Sequence, residues 1–182
     1  MAALVKNLQL LIGTSTPADL GPAQRPGTAA VAELNKNLDE IFRAAKLPSR
    51  NEQLIRALIL LWHDHLDASH VIAQDVEGAD GAFVHGIMHR REPDFGNAAY
   101  WFRRVGKHPA FNEIATRAAS LDGLKSNPTL SSALLPSSEW DPFAFIHLCE
   151  KYWRSSEPAK GVLQQVQAIE TAVLLDHFSR QQ

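Results

Sequence analysis

A chain of 182 residues, 45% hydrophobic and 21% charged, has the make-up of an ordinary globular protein, with length enough for one domain and a substantial core. A formal net charge of −2 argues against broad electrostatic adhesion to nucleic acid or to an acidic membrane surface. The single cysteine, Cys149, excludes an internal disulfide framework and a four-cysteine zinc site, and it fits a reducing, cytoplasmic setting.

The opening run MAALVKNLQLLIG lacks the charged region, apolar stretch and small-residue cleavage site of a signal peptide, so it reads as mature protein. No window approaches the roughly 18 apolar residues of a membrane span. Leu4, Leu8, Leu11 and Ile12 recur at helical spacing and predict a first helix over 2–12. Residues 14–28 then carry Pro17, Gly21, Pro22, Pro26 and Gly27 and read as a loop. Val31, Leu34, Leu38, Ile41 and Phe42 predict a second helix over 28–45, closed by Pro48.

Ser49 and Glu52 have the spacing of a capping box ahead of a long apolar-periodic run. A central helix is expected from Arg50 to Val76, with Leu54, Leu58, Leu61, Trp62, Leu66, Ile72 and Val76 on a broad inner arc. At about 100° per residue, His63, Asp67, His70 and Gln74 then share one polar stripe. Glu77 to Gly81 marks a break with Asp80 as N-cap. Over 82–91 two readings compete: context favours a helix, but Gly81 and Gly86 weaken it, and Phe83, Val84 and Ile87 would tolerate a strand. Either puts His85 and His89 on one face, and only the helix brings their Cβ atoms to about 5–6 Å from each other. Glu92-Pro93 forces an extended step, Asp94 caps a helix to Val105, and Gly106 ends it. Further helices are expected over 109–124, from Pro142 to about Trp153 behind the Asp141 cap, and over 158–179 behind Ser156. Residues 125–139, rich in Ser, Pro and Asn, read as loop. The fold class is therefore all-α: one domain over 1–182, a bundle of about seven helices built around a long central one.

Chemistry concentrates between His63 and His108, where six of the eight histidines lie. Neutral imidazole and carboxylate are the usual ligands of zinc, iron or manganese, and a site needs three or four converging. His85-x-x-x-His89 is one half-site, and the central stripe supplies another. The expected ligand set for a divalent metal is Asp67, His70, His85 and His89, with His63 beside it. His63 and His70, about 10 Å apart along one helix, would not both reach one ion. The alternative is that these histidines bond to carbonyls and carboxylates in a structural polar layer. Arg90 and Arg91 offer guanidinium forks for an anionic small molecule, so His63, Arg90 and Arg91 are the candidate catalytic residues. Arg103 or Arg104 is expected to pair with a carboxylate from another segment. His147 is expected at the surface, His177 as a satisfied core histidine, and Cys149 as a small buried hydrophobe.

The block HGIMHRREPDFGNAAYWFRRVGKHP, with LDASHVIAQ upstream of it, resembles a block found in otherwise uncharacterised bacterial and fungal proteins. The resemblance runs from His63 to Phe111 and implies no particular activity. Two functions are open at this point: a small hydrolase-like enzyme, metal-dependent, acting on an anionic small molecule; or a non-catalytic helical module that binds a ligand or partner and keeps a structural His/Arg layer.

Overall fold

Amphipathic spacing sets the first elements: Leu34, Leu38 and Phe42 recur one turn apart and all three side chains are buried. The computed structural model of the protein describes residues 2–180. The helices, in chain order, are α1 (Ala2–Leu11), α2 (Val31–Ala45), α3 (Ser49–Trp62), α4 (Leu66–Ala73), α5 (Gly78–Arg91), α6 (Phe95–Val105), α7 (Ala110–Ala119), α8 (Asp122–Lys125), α9 (Pro128–Leu134), α10 (Pro142–Tyr152) and α11 (Pro158–Phe178). A 3-10 turn, Pro136–Ser138, separates α9 from α10. The all-α class holds, in a single body with no strand among the described residues, but eleven helices replace the expected seven or so. Among the described residues, no helix is long and apolar enough to cross a membrane.

The expected central helix over 50–76 is two helices. α3 stops at Trp62, and Asp64 takes a left-handed backbone (φ 66°) before α4 begins at Leu66. Distant arginines terminate α3 by capturing its last carbonyls: Arg91 Nη1 donates to Leu61 O, and Arg25 Nη2 donates to Trp62 O. Both guanidiniums also bind Asp64, Arg91 Nη2 at 2.7 Å and Arg25 Nε at 2.8 Å. The irregular stretch 12–30 is thereby pinned to the break, aided by Arg25 N–H, which donates to the same carboxylate at 2.9 Å.

α5 is the most enclosed element, with every residue from Gly81 to Arg91 buried. Two glycines that argue against helix here are what allow this packing. A Cβ on Gly86 would sit 2.8 Å from the Phe102 ring of α6, and one on Gly81 would sit 1.8 Å from Val76 O. α6 matches its expected bounds, with Asp94 Oδ1 accepting from Asn97 N–H at 3.2 Å. Asp141 likewise caps α10 through Phe143 and Ala144 N–H, ahead of Pro142.

Other boundaries shift. Residues 125–139 are not a plain loop, because Asn127 caps the short α9 and buries Leu130 and Leu134. The helix expected over 109–124 ends at Ala119. Ser49 is the first residue of α3 rather than its cap, and Ser156 gives way to Glu157 ahead of α11; neither start has a side-chain cap.

Candidate metal centre

Three histidines converge where α4 and α5 meet. His85 and His89, one turn apart on α5, stack with ring centroids 5.1 Å apart and planes 8° apart. His70 of α4 stands edge-on to both, at 4.8 Å and 5.4 Å. Each offers one ring nitrogen, and the three nitrogens lie within 4.8 Å of one another. Tetrahedral zinc, with bonds of about 2.0–2.1 Å, sets its ligand nitrogens about 3.3 Å apart, so closure on an ion needs ring movements of the order of an ångström.

The surroundings hold His85 and His89 in states a metal uses. His89 Nδ1 lies 3.0 Å from Glu92 Oε2, so Nδ1–H donates to the carboxylate and leaves Nε2 as a lone pair. Asn97 Nδ2 lies 3.3 Å and 3.1 Å from the two His89 ring nitrogens. The lone-pair directions of an imidazole diverge, so a group that near to both meets the ring face and blocks neither. Trp101 of α6 lies flat on His85, 4.0 Å between centroids and 11° between planes. Burial, with the neighbouring His89 and His70, pushes His85 down to about 4. Burial also lowers His89, against an opposite pull from Glu92. Both are therefore neutral imidazoles near pH 7, the form that ligates metal.

A second group, Asp80, His108 and His177, also has the spacing to hold a metal. Its hydrogen bonds assign it otherwise. Ala110 N–H donates to His108 Nδ1 at 3.2 Å, so the proton of the neutral ring is on Nε2, which donates to Asp80 Oδ1 at 2.9 Å. A metal on that Nε2 would force a proton onto Nδ1, against the Ala110 N–H. His177 Nε2 meets the same carboxylate oxygen at 3.2 Å, and Arg50 Nη1 lies 3.2 Å from Oδ2. The group is a clasp joining α3, α5, the α6–α7 connection and α11.

Hydrogen bonds from His108 and His177 hold the Asp80 carboxyl well below the usual carboxylate range, outweighing burial. A carboxyl so depressed adds stability above its unfolded value, about 4, and that contribution fades as pH falls through the folded value. Asp80→Asn is expected to cost about 1.5–3 kcal/mol at pH 7, the worth of hydrogen bonds to a charged group, with the gap to wild type narrowing between pH 4 and pH 2. Urea unfolding across that range checks it; a pH-independent gap would contradict the clasp.

The remaining candidates fall elsewhere. Asp67 is exposed and lies outside the triad although it stands one turn before His70 on the same helix α4; the break after Trp62 separates only His63 from that stripe. His63 is buried, with both nitrogens used: Nδ1 accepts from Ala29 N–H at 3.1 Å and Nε2–H donates to Leu11 O at 2.8 Å. It anchors the chain around the 12–30 stretch and takes no part in the triad.

Arg90 and Arg91, expected to meet an anionic substrate, have side chains 0% and 1% exposed and pair with Glu170 and Asp64. Arg103 and Arg104 are exposed and, among the described residues, make no ion pair with a carboxylate; Arg104 instead lies over the rings of Trp101 and Tyr100. The carboxylate pairing expected of Arg103 and Arg104 occurs instead at Arg90 and Arg91. His147 is exposed. Cys149 is fully buried and its thiol is pushed up to about 12, chiefly by burial, so it packs rather than reacts. Glu92 and Asn97 were not among the residues expected here; their only sequence signal is their spacing from His89, three and eight residues. Set against protein-family models, curated proteins and solved structures, the chain finds no match.

Proposed function

We propose that this protein is a metal-dependent enzyme of hydrolase type, with His70, His85 and His89 holding one divalent transition ion, zinc, iron or manganese. The observation that carries this reading is the convergence of three ring nitrogens, one of them oriented by the Glu92 carboxylate. Three protein ligands leave a fourth position for water or substrate, the arrangement of catalytic rather than structural zinc sites. An ion there would lower the pKa of a bound water toward 7 and polarise a carbonyl or phosphoryl oxygen. His63, Arg90, Arg91 and Asp67 are left out of this centre for the reasons given above.

The second reading, a non-catalytic module with a structural histidine layer, draws on one observation. His85 is packed flat between His89 and Trp101, and both histidines are buried.

Metal analysis of protein purified without a histidine tag separates the two. The enzyme reading expects about one equivalent of a transition metal per chain, removed by a chelator and restored by zinc or manganese. Protein that emerges metal-free, and gains no stability when zinc or manganese is added, would leave the structural layer as the better account.

A further inference from the structure

The metal-centre reading leaves open what enters the fourth position, and α6 carries an answer. Asn97, Trp101 and Arg104 are spaced i, i+4 and i+7, so they fall on one stripe of that helix. Asn97 touches His89, and Trp101 covers His85. Arg104 is next along the same stripe, its guanidinium 5.4 Å from the Trp101 ring centroid and its Nη1 3.4 Å from the Tyr100 hydroxyl.

Its charge is uncommitted. Among the described residues Arg25, Arg50, Arg56, Arg90, Arg91 and Arg117 each form an ion pair with an aspartate or glutamate, whereas Arg43, Arg103, Arg104, Arg154 and Arg180 form none; of these, Arg104 is the one on the Asn97–Trp101 stripe, with aromatic and hydroxyl contacts. Tyr100, beside it, leaves 49% of its surface exposed, a large apolar face at the same end of the stripe.

We infer that Arg104 is the anion-binding arm of the triad centre, and that the centre's ligand is a small organic monocarboxylate with an apolar body. The guanidinium fork matches a carboxylate, and its seat on two aromatic rings holds it ready without neutralising it. Local charge selects a monoanion. A divalent ion at the triad would be balanced by two carboxylates, Glu92 against His89 and Asp94 close enough to act on the same ring, so the Arg104 charge is the one left for a ligand to match. A phosphate dianion would overshoot it. The Tyr100 face offers apolar cover for the rest of the ligand.

The inference rests on the metal-centre reading, and cobalt keeps the two separable. The full chain is loaded with Co²⁺, whose visible absorption reports coordination, and is then titrated with benzoate, benzyl alcohol and inorganic phosphate. Benzoate is expected to change the cobalt spectrum saturably, with the other two at least tenfold weaker. Arg104→Ala should raise the benzoate half-saturation by about tenfold to a hundredfold, the worth of a charged hydrogen bond. Arg104→Lys should recover only part, since an ammonium lacks the fork. Arg103→Ala, which alters a neighbouring guanidinium on another face, should stay within twofold.

A cobalt spectrum that forms but ignores benzoate, or an Arg104→Ala variant within twofold of wild type, overturns this inference and leaves the metal centre standing. Phosphate or benzyl alcohol binding as well as benzoate overturns the monoanion assignment. A chain that takes up no cobalt refutes the centre itself, and the arm with it.

Discussion

Glu170→Ala is expected to cost the fold about 3–5 kcal/mol, the penalty of stranding a buried charge, out of a total stability of about 5–15 kcal/mol. Glu170 receives both ends of the Arg90 guanidinium, at 3.1 Å and 2.5 Å, and neither side chain has any exposed surface. Gln167 Oε1 accepts a further bond at 3.4 Å, and the Phe145 ring lies 4.2 Å beneath the guanidinium. Arginine does not shed its proton in a protein, so removal of the carboxylate leaves a cation with one weak amide acceptor and a ring face. Glu170→Gln should be nearly as damaging, because it keeps the shape and loses the charge. The double change Arg90→Met, Glu170→Leu should regain most of the loss, since apolar replacement of a buried pair is often neutral or better. Chemical denaturation at pH 7 measures all three. A single Glu170→Ala variant within about 1 kcal/mol of wild type would show that the pair is not the buried tie described here.

That pair shows where the sequence was legible and where it was not. α2, α6 and α10 follow from signals within one or two turns: periodic Leu34, Leu38 and Phe42, the Asp94 cap and the Asp141-Pro142 start. The break after Trp62 has no such signal. Its cause is Arg25, 37 residues earlier, and Arg91, 30 residues later than the carbonyls they bind. Residues 49–76 keep a helical apolar period on both sides of the break, so periodicity alone predicts one long helix. α5 fails in the opposite sense. A helix buried on all sides has no polar face to give it a period, and its charged residues sit inside because their partners arrive from α3, α11 and the turn at Asp64.

The candidate site divides along the same line. His85 and His89 follow from their i,i+4 spacing, and His70 from the short connection between α4 and α5. Asp67 shares a turn of α4 with His70, and the spacing alone does not tell that its side chain is exposed while His70 meets α5. The Asp80 clasp was hidden by distance, since His108 and His177 lie 28 and 97 residues from it in the chain. Paired arginines were expected, but the sequence points to the exposed Arg103 and Arg104 as readily as to the buried Arg90 and Arg91. Only the packing of α5 decides between them.

Removal of one triad imidazole is expected to abolish stoichiometric metal binding, and the graded response of its neighbours is the sharper test. His85→Ala or His89→Ala leaves two ligands, and a two-ligand site does not retain zinc against dilution and gel filtration. Glu92→Gln keeps the size of the side chain but weakens its hold on His89 Nδ1–H, so the affinity for zinc should fall about tenfold to a hundredfold while the stoichiometry stays at about one. Asp67→Ala and His65→Ala provide the contrast. Asp67 is exposed outside the triad, and His65 Nε2 bonds to Ala29 O at 2.8 Å, so neither should alter zinc affinity by more than about twofold. Competition against a chromophoric zinc chelator at fixed pH gives all five affinities on one scale. If Asp67→Ala releases zinc as readily as His85→Ala does, the carboxylate is a ligand after all, and α4 must turn toward α5 when the ion binds. If Glu92→Gln matches wild type, the orienting role of that carboxylate is wrong and His89 is held in place by Asn97 and the stacking on His85 alone.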